Sequence, residues 1–138
     1  MTTLALALLG ALLAAPEAPV AEPATAPASA VERTGVQPGE VDAAQARKLL
    51  DAGVKVLDVR TSEEFAEGHL PGAVNIPYDE LPKRLAEVGP PSTPVLLYCA
   101  SGRRSAVAAR TLRSSGFQAL YDLKSYERWA EAERKAGR

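Results

Sequence analysis

The chain has 138 residues, of which 46% are hydrophobic, and its 16 basic and 17 acidic residues give a formal net charge of −1. This length suits one small domain and is short for two. The near balance of charges gives no indication of a nucleic-acid surface, and a single cysteine excludes an internal disulfide. We therefore expect one domain that folds without disulfides and has no nucleic-acid partner.

The first thirty residues differ in composition from the rest of the chain. Leu4–Ala15 is a nearly unbroken run of Leu and Ala, shorter than the roughly 20 apolar residues of a membrane span. Ala28-Ser29-Ala30 offers the small-x-small pattern at which secretory signals are cleaved. No Lys or Arg precedes the run, and a disordered Ala/Pro leader is the alternative. We expect residues 1–30 to be an export signal and residues 31–138 to be a periplasmic or secreted domain with no stable membrane span in its mature form.

Helical and strand patterns alternate from Val41 onward. Runs rich in β-branched and aliphatic residues predict strands, and capping residues with glycine stops predict the helices between them. The predicted strands are Val54–Val59, Val74–Ile76, Val95–Tyr98 and Phe117–Leu123, and the predicted helices begin near Asp42, Ser62, Asp79, the segment after Cys99, and Ser125. Strands separated by helices predict an α/β domain with a small parallel sheet flanked by helices on both faces.

Cys99 ends an apolar strand and is followed by Ala100-Ser101-Gly102-Arg103-Arg104. In such folds the functional site lies at the carboxyl ends of the strands. Gly102 permits the positive φ of a turn whose backbone amides point at the sulfur, and the helix N-terminus and two arginines favour the thiolate. The alternative is a cysteine that serves as a small core hydrophobe, which would not require two arginines beside it. The pattern predicts a nucleophilic thiolate that attacks an anionic molecule.

Several further landmarks occur in order along the chain. They are LDVR at 57–60, EFAEGHLPGAVNIP at 64–77, YCASGRRS at 98–105, and Gly116-Phe117 with Trp129. Together they resemble the signatures of the rhodanese (thiosulfate sulfurtransferase) family in its single-domain form. The resemblance implies a rhodanese-like three-layer domain over residues 31–138, with a small parallel sheet and helices on both faces.

The resemblance also implies an enzyme, a sulfurtransferase that works through a persulfide on Cys99. Such an enzyme moves sulfane sulfur from thiosulfate or a similar small anionic donor to cyanide or a thiol acceptor, with no metal and no organic cofactor. The resemblance assigns substrate binding to the loop residues Ala100, Ser101, Gly102, Arg103 and Arg104. Their backbone amides would stabilise the persulfide anion, and Arg104, with Arg103, would seat the donor.

Two other functions remain open on the same residues. One is a persulfide carrier or protein-interaction module of the same fold, without turnover of small molecules. The other is phosphatase or arsenate reductase chemistry, whose related loops enclose five residues between cysteine and arginine. Here four residues separate Cys99 from Arg104, and Ser105 occupies the longer spacing, so we favour the sulfurtransferase.

Three residues outside the loop are expected to support the site. Asp58 and Arg60 stand at a strand end, where we expect an ion pair that locks neighbouring loops, the alternative being a pair that orients the donor. His69 is expected to be structural because sulfur transfer needs no base once the thiolate has formed. Lys124-Ser125 replaces the Gly-Gly that the family commonly has after its last strand, and we expect Lys124 to point to solvent, the alternative being an added positive charge at the pocket.

Overall fold

The framework of the domain is one parallel sheet, seen in a computed structural model that describes residues 28–138. Its strands are β1 (Gly39–Glu40), β2 (Lys55–Asp58), β3 (Val74–Asn75), β4 (Val95–Cys99) and β5 (Leu120–Ser125). They lie in the order β1-β5-β4-β2-β3, and each pair is parallel. All carboxyl ends therefore meet at one edge of the sheet.

Helices cover both faces of this sheet. They are α1 (Ala28–Glu32), α2 (Ala43–Asp51), α3 (Ser62–Glu67), α4 (Leu85–Val88), α5 (Arg103–Ser114) and α6 (Tyr126–Lys135). Alternate residues of the central strand point to opposite faces. Leu96 and Tyr98 pack into one core with α2 and α6, whereas Leu97 and Cys99 pack into a second core with α5. The predicted parallel sheet with helices on both faces is confirmed.

Side-chain caps fix the starts of three helices. Asp42 accepts a hydrogen bond from the backbone of α2, and Ser125 does the same for α6. Helix α3 begins at Ser62 as predicted, but its cap is Thr61, which forms a reciprocal capping box with Glu64. Each cap satisfies a backbone amide that would otherwise lack a partner.

The prediction that one helix begins near Asp79 and continues to Val88 is wrong. The segment forms a 3₁₀ turn at Leu81–Lys83 followed by the short α4. The break lies at Arg84, whose φ of −123° and ψ of 22° end the 3₁₀ turn before α4 begins. Pro82 lies inside that turn, where its missing amide hydrogen removes one hydrogen bond of a continuous helix.

The last strand begins and ends later than predicted. Phe117 donates its amide to the carbonyl of Leu112, so it closes α5 instead of joining the sheet. β5 starts at Leu120 and continues through Lys124 to Ser125. The extension brings the Lys124 backbone to the edge where β4 ends at Cys99, with which Ser125 is paired in register.

Of the predicted export signal, residues 1–27 lie outside the described residues. Ala28, Ser29 and Ala30 begin α1, whose Val31 is buried in the core that also contains α2 and α6. Within residues 28–138 no helix is long and apolar enough to cross a membrane.

Candidate active site

The sulfur of Cys99 lies between the loop that follows β4 and the end of β5. The residue is fully buried. The Gly102 amide donates a hydrogen bond to Sγ at 2.8 Å, and the thiol faces the Lys124 carbonyl oxygen at 3.4 Å. The sulfur is thus held by an amide donor, which stabilises negative charge, and by a carbonyl acceptor, to which the neutral thiol donates its hydrogen.

Gly102 gives the loop its shape. Its φ is +96°, and it caps the amino end of α5. A Cβ added at this position would lie 3.3 Å from the Cδ of Lys124. The sequence prediction of a positive φ at Gly102 is confirmed, and the turn directs its amide to Sγ because the backbone is left-handed there.

Arg104 has a partner that the sequence analysis did not identify. Its two terminal nitrogens donate to the Glu64 carboxylate at 2.8 and 3.0 Å. The hydrogen bond to Arg104 lowers the pKa of Glu64 to about 2, and the pKa of Arg104 is raised in turn. Arg103 is exposed and makes no salt bridge with any residue of the described part. The cysteine loop is therefore joined to α3 through one arginine and presents the other to solvent.

Asp58 and Arg60 form a buried ion pair at the end of β2. Arg60 Nη2 lies 2.6 Å from Asp58 Oδ2 and donates to the Gly68 carbonyl at 2.6 Å. The Tyr98 hydroxyl donates to the same carboxylate at 2.7 Å, and burial raises the pKa of Tyr98, so this hydroxyl keeps its proton. The guanidinium also lies over the Tyr126 ring, 4.6 Å from its centroid. The pair ties the loop after α3 to the central strand.

His69 lies against α3. Its Nδ1 is 2.8 Å from the Phe65 carbonyl oxygen, and its ring stacks on the Phe65 ring with centroids 3.8 Å apart. These contacts fix the chain where α3 ends, and they involve neither Cys99 nor its loop.

Lys124 does not simply point to solvent, and that expectation is wrong. It is the one non-glycine residue with positive φ in the described part, at +74°. Asp122 accepts its amide at 2.8 Å and pairs with its ammonium at 3.3 Å, and its aliphatic stem lies against Gly102. Asp122 and Lys124 are two residues apart, so this contact is local along the chain. Sequence reasoning missed it because nothing in the sequence indicated the positive φ of Lys124, which lies beside a register shift between β4 and β5.

The residues at the carboxyl edge can hold a reactive thiolate. A buried sulfur receives one backbone amide, follows directly on a strand, and precedes a helix N-terminus with an exposed arginine. The amide donor, the helix N-terminus and the arginine each favour negative charge on sulfur, whereas burial and the Lys124 carbonyl oxygen oppose it. Within residues 28–138 no group of three or more His, Cys, Asp or Glu side chains is placed to hold a metal ion.

Comparison with known proteins identifies the protein family. Residues 42–132 match the family model described as the rhodanese-like domain, and the chain belongs to this family. Cys99, Gly102 and Arg104 all lie inside the matched range.

Several relatives that the chain covers to a large extent are named sulfurtransferases. Thiosulfate sulfurtransferase 16 of Arabidopsis thaliana chloroplasts is 37% identical over 106 residues, which cover 68% of this chain and 88% of the relative. The structure of the human single-domain sulfurtransferase TSTD1 superimposes with a TM-score of 0.61 at 28% identity, covering 70% of this chain and 97% of that one. The chain is therefore similar over most of its described length to single-domain sulfurtransferases.

The family also includes relatives with other names. YrkF of Bacillus subtilis, whose name proposes a sulfur carrier protein, is 40% identical over 73 residues, which cover 53% of this chain. The chain spans only 39% of YrkF and 60% of YqhL, another Bacillus subtilis relative. Both relatives are longer than the region they share with this chain.

Proposed function

We propose that this protein is an enzyme that transfers sulfane sulfur from thiosulfate or a similar anionic donor to a thiol or to cyanide, through a persulfide on Cys99. The observation that carries the proposal is the Gly102 amide, directed at Sγ from 2.8 Å at the carboxyl edge of the sheet. A preorganised donor at this place stabilises the thiolate before attack. The similarity to named thiosulfate sulfurtransferases supports the choice of donor.

The first half-reaction is a displacement at sulfur. The Cys99 thiolate attacks the outer sulfur of thiosulfate, a bond forms between Sγ and that sulfur, and the bond to the sulfonate sulfur breaks. Its electron pair leaves with sulfite, and the outer sulfur remains on Cys99 as a persulfide anion. Negative charge is conserved between reactants and products, so no oxidant or reductant is required.

The second half-reaction regenerates the enzyme. An acceptor thiolate or cyanide attacks the outer persulfide sulfur, and the bond between the two persulfide sulfurs breaks. The electron pair returns to Sγ as the thiolate. This is covalent catalysis by one activated nucleophile, in which the same cysteine is the leaving group of the second step.

The other residues of the Cys99 loop have different roles in binding the donor. Arg103 is exposed and attracts the dianionic donor, while Arg104 fixes the loop through Glu64. Ala100 and Ser101 are exposed in the loop that follows the buried Cys99, and we expect them to border the donor. Arg104 therefore acts first as the anchor of the loop, and its charge is shared between Glu64 and an incoming anion.

A persulfide carrier is the second candidate function, and the proposed role in the name of YrkF supports it. A carrier would form the same Cys99 persulfide but release sulfur only to a protein acceptor. Steady turnover of thiosulfate with cyanide as acceptor distinguishes the enzyme from the carrier.

The test is the intact mass of the full chain after incubation with thiosulfate, beside Cys99→Ser. We expect a gain of about one sulfur, about 32 Da, that is reversed by cyanide and absent from the variant. No gain in a protein whose thiol still reacts with iodoacetamide would contradict the proposal.

We further propose that residues 1–30 direct export. The expected result is a mature amino terminus at Val31 after expression with its leader, measured by N-terminal sequencing of the exported fraction. An intact Met1 in that fraction would contradict cleavage.

A further inference from the structure

Helix α5 exposes one continuous stripe next to the catalytic cysteine. Arg103, Val107, Arg110 and Ser114 follow the spacing of one helix face and are all exposed. The opposite side, which includes Ala108 and Leu112, is buried against the sheet. We call Arg103, Val107, Arg110 and the adjacent exposed Arg113 the α5 basic face.

The charge of this face is not compensated. Helix α5 has four arginines and no acidic residue among its 12 positions, in a chain whose net charge is −1. Of the four, Arg104 is paired with Glu64. Arg103, Arg110 and Arg113 make no salt bridge within residues 28–138, although surface arginines elsewhere, such as Arg84 and Arg134, are paired there.

An apolar side chain lies in the middle of the stripe. Val107 is 41% exposed and is one of two large hydrophobic residues that the described part leaves exposed. A single exposed valine is ordinary on a protein surface, and it is informative here only because arginines without a salt bridge in the described part surround it. A protein interface uses such an arrangement, with a desolvated apolar contact surrounded by charges.

The face also points a bound partner at the sulfur. Arg103 is the first residue of α5 and belongs to the Cys99 loop. At about 1.5 Å per residue, Arg110 lies about 10 Å farther along the helix axis. A partner held along this length has one end at the mouth of the site. A free small acceptor such as cyanide is too short to contact both Arg103 and Arg110.

We propose that the α5 basic face docks the sulfur acceptor, and that this acceptor is a protein whose reactive thiol is surrounded by acidic residues. The inference rests on the proposed function and names the acceptor for it. The partner's carboxylates meet Arg103, Arg110 and Arg113, and its thiolate attacks the outer sulfur of the Cys99 persulfide. A bond forms between the partner's sulfur and the outer sulfur, the bond between the outer sulfur and Sγ breaks, and its electron pair leaves Cys99 as the thiolate while the partner carries the persulfide.

The experiment measures single-turnover sulfur transfer from the Cys99 persulfide of the full chain to two thiol peptides. The peptides are matched in length, and their one cysteine is flanked by glutamates in the first and by lysines in the second. The quantity compared is the ratio of the two rates, so that the intrinsic reactivities of the peptides cancel between proteins. The proteins are the parent, Arg110→Glu, Arg110→Lys, and Arg33→Glu as a control. Arg33 is exposed, near the end of α1, and also makes no salt bridge in the described part.

At about 10 mM ionic strength, where the Debye length is about 30 Å, we expect Arg110→Glu to lower the acidic-to-basic ratio about tenfold. Arg110→Lys and Arg33→Glu keep the parent ratio, and at about 1 M salt the four ratios converge. Persulfide formation and transfer to cyanide remain at parent levels in Arg110→Glu.

An unchanged ratio in Arg110→Glu, or an equal decrease in Arg33→Glu, overturns the docking face while leaving the proposed function intact. Arg110-dependent binding of a single-stranded oligonucleotide without any peptide preference overturns it in favour of a nucleic-acid partner. Failure of the parent to form a persulfide overturns the proposed function itself, and the mass measurement detects that case separately.

Discussion

At the scale of single residues, the site depends on backbone conformations that glycine adopts freely and other residues do not. Gly102→Ala places a Cβ at φ +96° and against Lys124. We expect a loss of about 1–2 kcal/mol in the free energy of unfolding, together with a large decrease in the rate of persulfide formation, because the Gly102 amide no longer points at Sγ. Urea unfolding and intact mass after thiosulfate measure the two effects.

Gly35→Ala is the matched control for this change. Gly35 has a φ of +72° with nothing within 4 Å of an added Cβ. Alanine at this position therefore strains the backbone and lowers the free energy of unfolding, but it does not touch the site. Comparable destabilisation with normal persulfide formation is expected. If Gly102→Ala formed the persulfide at the parent rate, the role of its amide would be wrong.

At Lys124, in contrast to Gly102, a residue with a side chain occupies a backbone conformation that favours glycine. Its φ of +74° is unfavourable for a side chain with a Cβ, and Asp122 holds it there. Lys124→Gly and Lys124→Ala both remove the ion pair, but only glycine relieves the backbone. We expect the glycine variant to be more stable than the alanine variant by about 1 kcal/mol in urea unfolding. Equal stabilities would show that this backbone is not strained.

At the scale of secondary-structure elements, the Glu64–Arg104 pair joins α3 to the start of α5. Its bonds cross 40 residues of sequence, and they fix the cysteine loop against a helix that otherwise has no buried residue. The site is therefore sensitive to a change on α3 that touches neither Cys99 nor its loop backbone.

The pair predicts how stability depends on acid. The pKa of Glu64 is about 2 in the folded state against an ordinary 4.5. The stabilisation is therefore present above pH 4.5 and is lost as the pH falls toward 2. Glu64→Gln should lose about 1 kcal/mol at pH 7 and show a shallower fall in stability between pH 4.5 and 2, measured by urea unfolding across that range.

Glu127→Gln is the control, because Glu127 and Arg134 form a pair that is more than half exposed on α6. Its stability should match the parent within about 0.5 kcal/mol at every pH. A parent-like acid profile in Glu64→Gln would contradict the role of the pair.

At the scale of the whole molecule, one buried polar cluster connects separate parts of the sheet and its loops. The Tyr98 hydroxyl, on the central strand, donates to Asp58 on β2 and accepts the amide of Leu70. Tyr98→Phe leaves both groups without this partner in a buried place. We expect a loss of about 2 kcal/mol in the free energy of unfolding, measured by chemical denaturation.

Tyr121→Phe tests whether the effect belongs to the cluster. Tyr121 is also buried on the sheet, but its hydroxyl makes no hydrogen bond among those of the described residues. A change within about 0.5 kcal/mol is expected. Similar losses in both variants would mean that the cluster adds nothing beyond packing.

The sequence by itself determined the features that are local along the chain. The alternation of strands and helices, the caps at Asp42 and Ser125, and the left-handed Gly102 after Cys99 all depend on residues within a few positions of one another. Propensity and capping act over that range, so the class of fold and the loop with its single thiol could be predicted. Pro82 was equally local, and its missing amide hydrogen could have been weighed against one continuous helix from Asp79 to Val88.

Only the tertiary structure decided the partners of those residues. Glu64 with Arg104 and Tyr98 with Asp58 are each 40 residues apart, and the register shift between β4 and β5 beside Lys124 is likewise a property of the assembled sheet. Strand order and register bring such groups together, and no local pattern encodes them in one sequence. For this reason the sequence could identify the loop with the single thiol, whereas the fold decided which neighbouring arginine pairs with a carboxylate, Arg104 with Glu64, and which stays unpaired among the described residues, Arg103.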